Sequence, residues 1–198
     1  MTKKVAIMGG TFNPIHNGHI KMAKYVVENN LCDEVWFMPN GNPPHKDDED
    51  ILDKTHRINM VKLAIEGFDR FKFCDIEVKR VGYSYLVDTL KELCESYDYE
   101  FYFILGADSL EYIEKWYKFK DYAKYTKFLA FGRTGSADVK DISKHLLNKY
   151  SFDIICVDMP YVDIASTDIR KSFKSGHLAV DFLPEKVYNY ILDNELYI

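Results

Sequence analysis

The sequence lacks an excess of positive charge. Its 198 residues carry 26 basic and 31 acidic side chains, a formal net charge of −5. Nucleic-acid-binding domains usually present a basic surface, so this balance argues against a nucleic acid as partner.

Long apolar runs are also missing. The run at residues 5–8 is too short for a signal peptide or a membrane span, so we expect no membrane partner. The chain has only four cysteines, and no two of them form a C-x-x-C pair. Cys74 and Cys156 sit in apolar runs, where we expect buried, inert thiols. This cysteine usage is typical of a reducing cytoplasm, which is the predicted location.

Strand and helix patterns alternate along the chain, with no boundary between domains, so we expect a single domain over residues 1–198. Continuous apolar runs predict buried strands at 4–8, 34–38, 71–78, 100–105, 127–131 and 153–157. Helical spacing predicts helices around 58–65, 86–97, 140–150, 167–174 and 184–193.

This alternation predicts an α/β fold with a doubly wound, mainly parallel sheet and a helical C-terminal end. Ligands in such folds bind beyond the carboxyl ends of the strands. Candidate functional residues are therefore expected directly after each strand.

A glycine pair and two histidines follow the first predicted strand. Gly9 and Gly10 let main chain approach a ligand closely, and a helical pattern begins at once. The start of a helix offers unpaired N–H groups and a positive dipole end to an anion. His16 and His19, three residues apart, can face that anion together, and each can carry charge near neutral pH. The segment therefore predicts a phosphate site.

Other interpretations of this segment fit less well. The P-loop lysine and hydroxyl are missing, and so is the G-x-G-x-x-G fingerprint. A zinc site is an alternative for His16 and His19, although no convincing third ligand is at hand.

The same segment resembles the G-G-x-F-[DN]-P-x-H-x-G-H signature of the nucleotidyltransferase superfamily, which implies its Rossmann-like fold. Almost the whole chain is similar to one family, the bacterial nicotinate-mononucleotide adenylyltransferases. The resemblance rests on the signature and on four further segments, Pro43-Pro44-His45-Lys46, Gly82 to Leu90, Gly106-Ala107-Asp108-Ser109 with Trp116, and Ile164 to Arg170. The sequence departs from the family pattern at Asn13 for Asp, at Leu86 for Thr and at Ala165 for Ser.

The resemblance implies a set of site residues. Catalytic roles are expected for His16, His19, Lys46, Arg133 and Arg170. ATP contacts are expected at Gly9, Gly10, Thr11, Phe12, His16, Gly18, His19, Gly106, Asp108, Ser166, Thr167 and Arg170. Acceptor contacts are expected at Asn40, Lys46, Ser84, Tyr85, Leu86 and Trp116, and no dedicated metal ligands are expected.

Several of these residues have a purely structural interpretation as well. Ser166 and Thr167 could only cap a helix. Asp108 could be a turn aspartate, and Trp116 a core or surface tryptophan. Arg133 and Lys46 could be ordinary solvated side chains.

The expected activity is adenylyl transfer from ATP, with Mg²⁺, to nicotinate mononucleotide. A helix starting at Ser84 would offer main-chain N–H groups to the carboxylate of the pyridine ring. Transfer to nicotinamide mononucleotide or phosphopantetheine, and a sensing module without turnover, are the alternatives. A homo-oligomer is compatible with the sequence, which does not determine the number of copies.

Overall fold

The computed structural model describes residues 2–41, 51–132, 137–160, 164–177 and 179–197, the side chains of residues 107, 108, 137 and 138 excepted. Its strands are β1 (Lys3–Gly10), β2 (Glu34–Pro39), β3 (Phe71–Phe73), β4 (Tyr99–Gly106), β5 (Lys127–Gly132) and β6 (Ile154–Asp158). Its α-helices are α1 (Asn17–Glu28), α2 (Lys54–Ile65), α3 (Ile76–Lys79), α4 (Leu86–Ser96), α5 (Ala107–Glu111), α6 (Ala137–Tyr150), α7 (Ser166–Lys174) and α8 (Glu185–Asp193). Short 3₁₀ turns cover Ile113–Lys115, Phe119–Lys124 and Val180–Phe182.

The six strands form one parallel sheet in the order β3-β2-β1-β4-β5-β6. The chain builds outward from β1 to β3, then returns to place β4 on the other side of β1. This reversal opens a crevice at the carboxyl ends of β1 and β4, where open parallel sheets bind ligands. The predicted doubly wound fold is confirmed.

Alternate residues of each central strand supply two separate cores, because side chains on a strand point to opposite faces. On β1, Ala6 and Met8 join the core under α1, α2, α7 and α8, whereas Val5 and Ile7 join the core under α4, α5 and α6. Burial on both faces explains why these strands appear as continuous apolar runs in the sequence.

The third predicted strand is too long. The apolar run at residues 71–78 yields a strand only over Phe71–Phe73, and residues 76–79 form α3. The last ladder contact is the Cys74 N–H donating to the Phe37 carbonyl at 2.9 Å. Asp75 is then the N-cap residue of the short helix. The prediction failed because a short apolar run in the sequence does not by itself distinguish a strand from a helix.

The predicted burial of Cys156 is wrong, whereas Cys74 is buried as expected. Cys156 lies on β6, the edge strand of the described sheet, which pairs with β5. Ile155 and Cys156 point to opposite faces and are both exposed, so neighbouring elements cover β6 less completely than the central strands. Within the described ranges, no helix is long and apolar enough to cross a membrane.

Candidate active site

A cavity of about 500 Å³ opens at the crevice between β1 and β4. The ends of three neighbouring strands reach it through Gly9, Gly106 and Gly132, and α1 contributes His16 and His19. The remaining lining residues are Met8, Gly18, Met22, Phe103, Ile104, Leu105, Ser109, Trp116, Phe131, Met159 and Ile164. A mixed apolar wall with a few converging polar groups is typical of a small-molecule site.

The loop between β1 and α1 is held by a buried aromatic ring. Phe12 is only 2% exposed and has φ +50°, a left-handed conformation that is uncommon for a side chain of this size. Its ring contacts His19 edge to face, with centroids 5.1 Å apart. Since the ring is in the core, any contact of Phe12 with a ligand would use its main chain.

The two histidines are joined at the start of α1. His16 is the N-cap residue, and its main-chain N–H donates to Nδ1 of His19 at 3.2 Å. The two rings are in contact, with centroids 3.8 Å apart and planes tilted by 35°. Because Nδ1 of His19 accepts a hydrogen bond, the proton of the neutral ring is on Nε2. The helix thus holds His19 in the tautomer that donates from its outer nitrogen.

The charge state of the histidines corrects a sequence-based expectation. Burial lowers the pKa of His16 to about 4, and burial together with the neighbouring His16 lowers the pKa of His19 well below its ordinary value. Both rings are therefore neutral near pH 7 in the ligand-free protein, not charged as expected. An anion bound beside them would favour the charged form and raise both pKa values.

Gly18 leaves room for the His16 ring. A Cβ atom at Gly18 would lie 2.9 Å from Nδ1 of His16, closer than van der Waals contact allows. That Nδ1 atom is buried and has no hydrogen-bond partner in the described part of the chain. A buried nitrogen without a partner is costly unless a ligand or water satisfies it.

Helix α7 is anchored to the loop after β1. Ala165, not Ser166, is its N-cap residue, and no side chain caps it. The Ser166 hydroxyl instead donates to the Pro14 carbonyl at 2.9 Å, so the capping interpretation of Ser166 is wrong. Arg170 Nη1 donates to the Asn13 carbonyl at 3.0 Å, and Thr167 is exposed.

Residues predicted for the acceptor lie on two sides of the crevice. Asn40 follows β2, and its amide Nδ2 donates to Oγ1 of Thr11 at 3.2 Å. Trp116 lines the cavity and packs edge to face against Phe103. The next residue, Tyr117, lies 4.3 Å from Tyr85 between ring centroids, which brings the segment before α4 close to Trp116.

The start of α4 differs from its predicted position. The helix begins at Leu86 with Tyr85 as N-cap residue, two residues later than the Ser84 start expected from the sequence. Ser84 is 8% exposed, and its Oγ is buried with no partner among the described residues. The N–H groups of Asp88 and Thr89 donate to the Tyr85 carbonyl, and that of Val87 donates to the Tyr122 hydroxyl. The N–H of Leu86 is left at the opening turn of the helix.

The cavity therefore joins only part of the predicted site. Its lining includes Gly9, His16, Gly18, His19, Gly106 and Trp116. It does not include Gly10, Thr11, Phe12, Asn40, Ser84, Tyr85, Leu86, Ser166, Thr167 and Arg170. Lys46 and Arg133 fall outside the described residues, as does the side chain of Asp108, whose main chain is in the first turn of α5.

Several lining residues were not predicted individually. Phe103, Leu105 and Phe131 lie near the carboxyl ends of β4 and β5, where the fold rule places ligands. Ser109 and Ile164 lie inside segments that carry the family resemblance. No sequence signal was used for Met22 or Met159, because their contribution depends on how α1 and β6 pack.

The described side chains form no cluster of metal ligands. No group of three or more histidine, cysteine or acidic residues converges there in a way that could hold a metal ion. The described part of the site therefore offers no carboxylate cage for a divalent cation.

Two comparisons define the class of this site. The cytidylyltransferase-like family model matches residues 7–172, from within β1 to α7. Solved structures of Plasmodium falciparum nicotinic acid mononucleotide adenylyltransferase share the fold, with a TM-score of 0.77 at 22% identity in complex with APC and at 23% with NaAD. The alignments cover 98% of this chain and 97% of those chains. The fold is that of a nucleotidyltransferase, and the chain belongs to the cytidylyltransferase-like family.

Curated relatives identify one family within this class of protein. The nicotinate-nucleotide adenylyltransferase of Bacillus subtilis is 40% identical, over 98% of both chains. The probable nicotinate-nucleotide adenylyltransferase of Clostridium tetani is 43% identical, over 98% of this chain and 99% of the relative. The chain belongs to the nicotinate-nucleotide adenylyltransferase family.

Proposed function

We propose that this protein transfers the adenylyl group of ATP to nicotinate mononucleotide, forming deamido-NAD and pyrophosphate. The observation that carries the proposal is the His16–His19 pair at the start of α1, inside the cavity formed by β1 and β4. The full-length similarity to nicotinate-nucleotide adenylyltransferases supports the choice of substrates. The C-terminal helices α7 and α8 share the core of β1, so the chain acts as one nucleotidyltransferase domain.

The chemistry needs no nucleophile from the protein. An oxygen of the acceptor's 5′-phosphate attacks the α-phosphorus of ATP in line, and the bond to the bridging oxygen of the β-phosphate breaks. The attacking phosphate is already anionic, since the second pKa of a phosphate monoester is about 6. Positioning and stabilisation of developing charge therefore supply the catalysis.

His19 donates its Nε2 hydrogen to phosphate oxygens of ATP, because its Nδ1 is engaged by the His16 main chain. His16 assists from the adjacent ring. The opening turn of α1 and the close main chain at Gly9 and Gly10 supply further N–H donors to the triphosphate. A neutral donor that is fixed before binding needs no reorganisation during transfer.

Three cations complete the proposed phosphate contacts. Arg170 lies one turn into α7, and it retains donors beyond the Nη1–Asn13 hydrogen bond. Lys46 and Arg133 act on the acceptor phosphate and on the leaving pyrophosphate. The family resemblance supports these roles.

Magnesium enters as part of the substrate, MgATP. Mg²⁺ usually keeps several water ligands and binds phosphate oxygens, so it does not require a protein cage.

The acceptor's pyridine ring stacks on Trp116, whose indole lines the cavity. Its carboxylate is bound at the opening turn of α4, where the Leu86 N–H group points out of the helix. Asn40 binds on the opposite side of the crevice, at the end of β2. The buried Ser84 hydroxyl supplies one more polar contact.

Product identification tests the proposal directly. The protein is incubated with ATP, Mg²⁺ and nicotinate mononucleotide, nicotinamide mononucleotide or phosphopantetheine, and the products are identified by mass spectrometry with pyrophosphate quantified. Deamido-NAD and stoichiometric pyrophosphate are expected with the first acceptor. A product from phosphopantetheine alone, or no pyrophosphate with any acceptor, would contradict the proposal.

A further inference from the structure

Arg57 is a buried cation that has no place in the mechanism above. It lies in the first turn of α2, and the residue is only 2% exposed. Its guanidinium donates to four main-chain carbonyls: Nε to Leu52 at 3.2 Å, Nη1 to Thr11 at 2.9 Å and Asn40 at 3.0 Å, and Nη2 to Gly41 at 3.2 Å. Nη1 also lies 3.2 Å from Oδ1 of Asn40.

These contacts converge on the acceptor side of the crevice. Thr11 follows β1, Asn40 and Gly41 follow β2, and Leu52 precedes α2. The planar guanidinium joins all three chain segments at once. A lysine could not reproduce this geometry, because its ammonium is a single point donor.

Arg57 also fixes the side chain of Asn40. With Oδ1 accepting from Arg57, Nδ2 is turned toward Oγ1 of Thr11 at 3.2 Å. The Asn40 main-chain N–H is fixed as well, since it donates to the Gly10 carbonyl at 2.9 Å. Every polar group of Asn40 is thus oriented before any ligand binds.

The charge of Arg57 favours the same ligand. Among the described residues, the guanidinium forms no ion pair with a carboxylate and contacts only neutral oxygens. Arginine stays protonated in proteins. A buried positive charge beneath the ends of β1 and β2 stabilises an anion that binds above them.

We propose that Arg57 is a positioning residue for the acceptor: it holds the ends of β1 and β2 and orients Asn40 so that an anionic mononucleotide binds a preformed surface. This inference rests on the proposed function, because Asn40 is taken there as an acceptor contact. It predicts a selective effect on acceptor affinity.

Arg70 is a matched control for Arg57. Its guanidinium also donates to main-chain carbonyls, those of Asp33 at 2.7 Å, Val27 at 2.7 Å and Cys32 at 2.9 Å. These carbonyls lie at the amino end of β2, away from the crevice. Substituting Arg70 therefore removes the same chemistry without touching the site.

The test compares Arg57→Lys and Arg70→Lys with the unaltered protein. Calorimetric titration measures the affinity for nicotinate mononucleotide and, separately, for a non-transferable ATP analogue. Arg57→Lys should weaken acceptor binding about tenfold or more, the equivalent of one net hydrogen bond, and change ATP-analogue binding much less. Steady-state kinetics should show a raised acceptor KM with kcat largely kept at saturating acceptor. Arg70→Lys should lower thermal stability alone.

Equal acceptor affinity in a folded Arg57→Lys variant would overturn the proposal, as would a parallel loss of both affinities. If the unaltered protein does not bind nicotinate mononucleotide, the proposed function fails instead. If Arg57→Lys does not fold, amide hydrogen exchange on the unaltered, ligand-free protein provides a second test. The Asn40 N–H should then exchange as slowly as the amides of β2, and rapid exchange would show that Asn40 is not held in advance.

Discussion

At the amino ends of the strands, charged side chains pair with one another across neighbouring strands. Lys3 contacts Glu34 at 2.8 Å, and Lys127 contacts Glu100 at 2.6 Å and Asp153 at 3.3 Å. At the carboxyl ends, the cations Arg57 and Arg170 contact main-chain carbonyls, and no described carboxylate forms an ion pair with either.

The two ends of the sheet therefore have different roles, because the charges at the amino end stabilise the fold and those at the carboxyl end can bind a ligand. A cation satisfied by neutral carbonyls keeps its attraction for an anionic ligand, whereas one paired with a carboxylate is largely neutralised. The carboxyl end also holds two buried polar atoms, Nδ1 of His16 and Oγ of Ser84, that have no partner among the described residues. Substitutions at the carboxyl end should change activity, and substitutions at the amino end should change stability.

The largest effect is expected from His19→Asn. The asparagine side-chain oxygen can replace Nδ1 as acceptor for the His16 N–H, but nothing replaces the donor at Nε2. We expect kcat to fall by about 100-fold or more, the scale for loss of one preorganised donor, with thermal stability close to that of the unaltered protein. Steady-state kinetics and thermal denaturation measure the two quantities. A near-normal kcat would remove His19 from the proposed mechanism.

Gly18→Ala should also lower kcat, because it changes the position of the His16 ring. Its added methyl group would lie 2.9 Å from Nδ1 of His16 and push the ring aside. A displacement of about 1 Å at a site can cost on the order of 100-fold, so we expect a loss of kcat of about tenfold to 100-fold. A double-mutant cycle with His16→Ala identifies the cause. In the His16→Ala background, Gly18→Ala should lower kcat little further, because the ring that it displaces is gone. Additive losses of kcat from the two substitutions would contradict this explanation.

Acceptor choice tests whether main-chain donors at the carboxyl end recognise an anion. The N–H groups at the start of α4 favour a carboxylate over an amide, which would turn a donor toward donors. Leaving such groups unsatisfied costs roughly 1–3 kcal/mol, so kcat/KM should favour nicotinate over nicotinamide mononucleotide by about ten- to 100-fold.

The matched variant for acceptor choice is Trp116→Ala, which removes a flat surface that either ring can use. It should weaken both acceptors and leave their ratio nearly unchanged. A preference for the amide in the unaltered protein would show that the start of α4 does not recognise the carboxylate.

As the pH is lowered, groups at the carboxyl and amino ends of the sheet should reduce the free energy of unfolding in different pH ranges. The pKa of His16 falls from 6.5 to about 4 on burial, so the unfolded chain binds its proton first and stability drops as the pH is lowered from about 6.5 toward 4. The hydrogen bond from Lys127 holds the pKa of Glu100 below its ordinary 4.5, so that contribution is lost only at lower pH. Denaturant unfolding at pH 7.5, 5.5 and 4.5 measures the difference. His16→Gln should reduce the slope of the profile above pH 5 without abolishing it, because the pKa of His19 is lowered as well, and an unchanged slope would contradict the assignment.

The smallest effect is expected at the amino end, from Lys127→Met. Lys127, Glu100 and Asp153 are all partly exposed, at 38%, 31% and 56% of their side chains, so solvent screens the pairing. We expect a loss of roughly 0.2–1 kcal/mol in the free energy of unfolding and no measurable change in kcat. A clear loss of kcat would show that the two ends of the sheet are coupled.

Much of the secondary structure and the arrangement of the segment after β1 were predictable from local sequence. Gly9, Gly10, His16 and His19 are close in the chain, so their arrangement depends on one strand, one turn and the first turn of one helix. The predicted strands were confirmed apart from residues 74–78, where the strand has ended and a short helix follows, and α4 begins at Leu86 instead of the predicted Ser84. The neutral state of the two histidines was not predictable, because it results from burial by distant segments.

The alternation of strands and helices, the turn after β1 that carries Gly9, Gly10, His16 and His19, and the family motifs all follow from local sequence. They depend on contacts between residues that are neighbours in the chain. The remaining features depend on tertiary structure. The strand order brings Gly106 of β4 beside Gly9 of β1, the edge position of β6 exposes Cys156, and the Ser166 hydroxyl reaches Pro14 across 152 positions. Arg57 has an ordinary helical context, and its importance comes from three segments that meet around one buried guanidinium. Such contacts join residues far apart in sequence, so their geometry is set by how the whole chain packs.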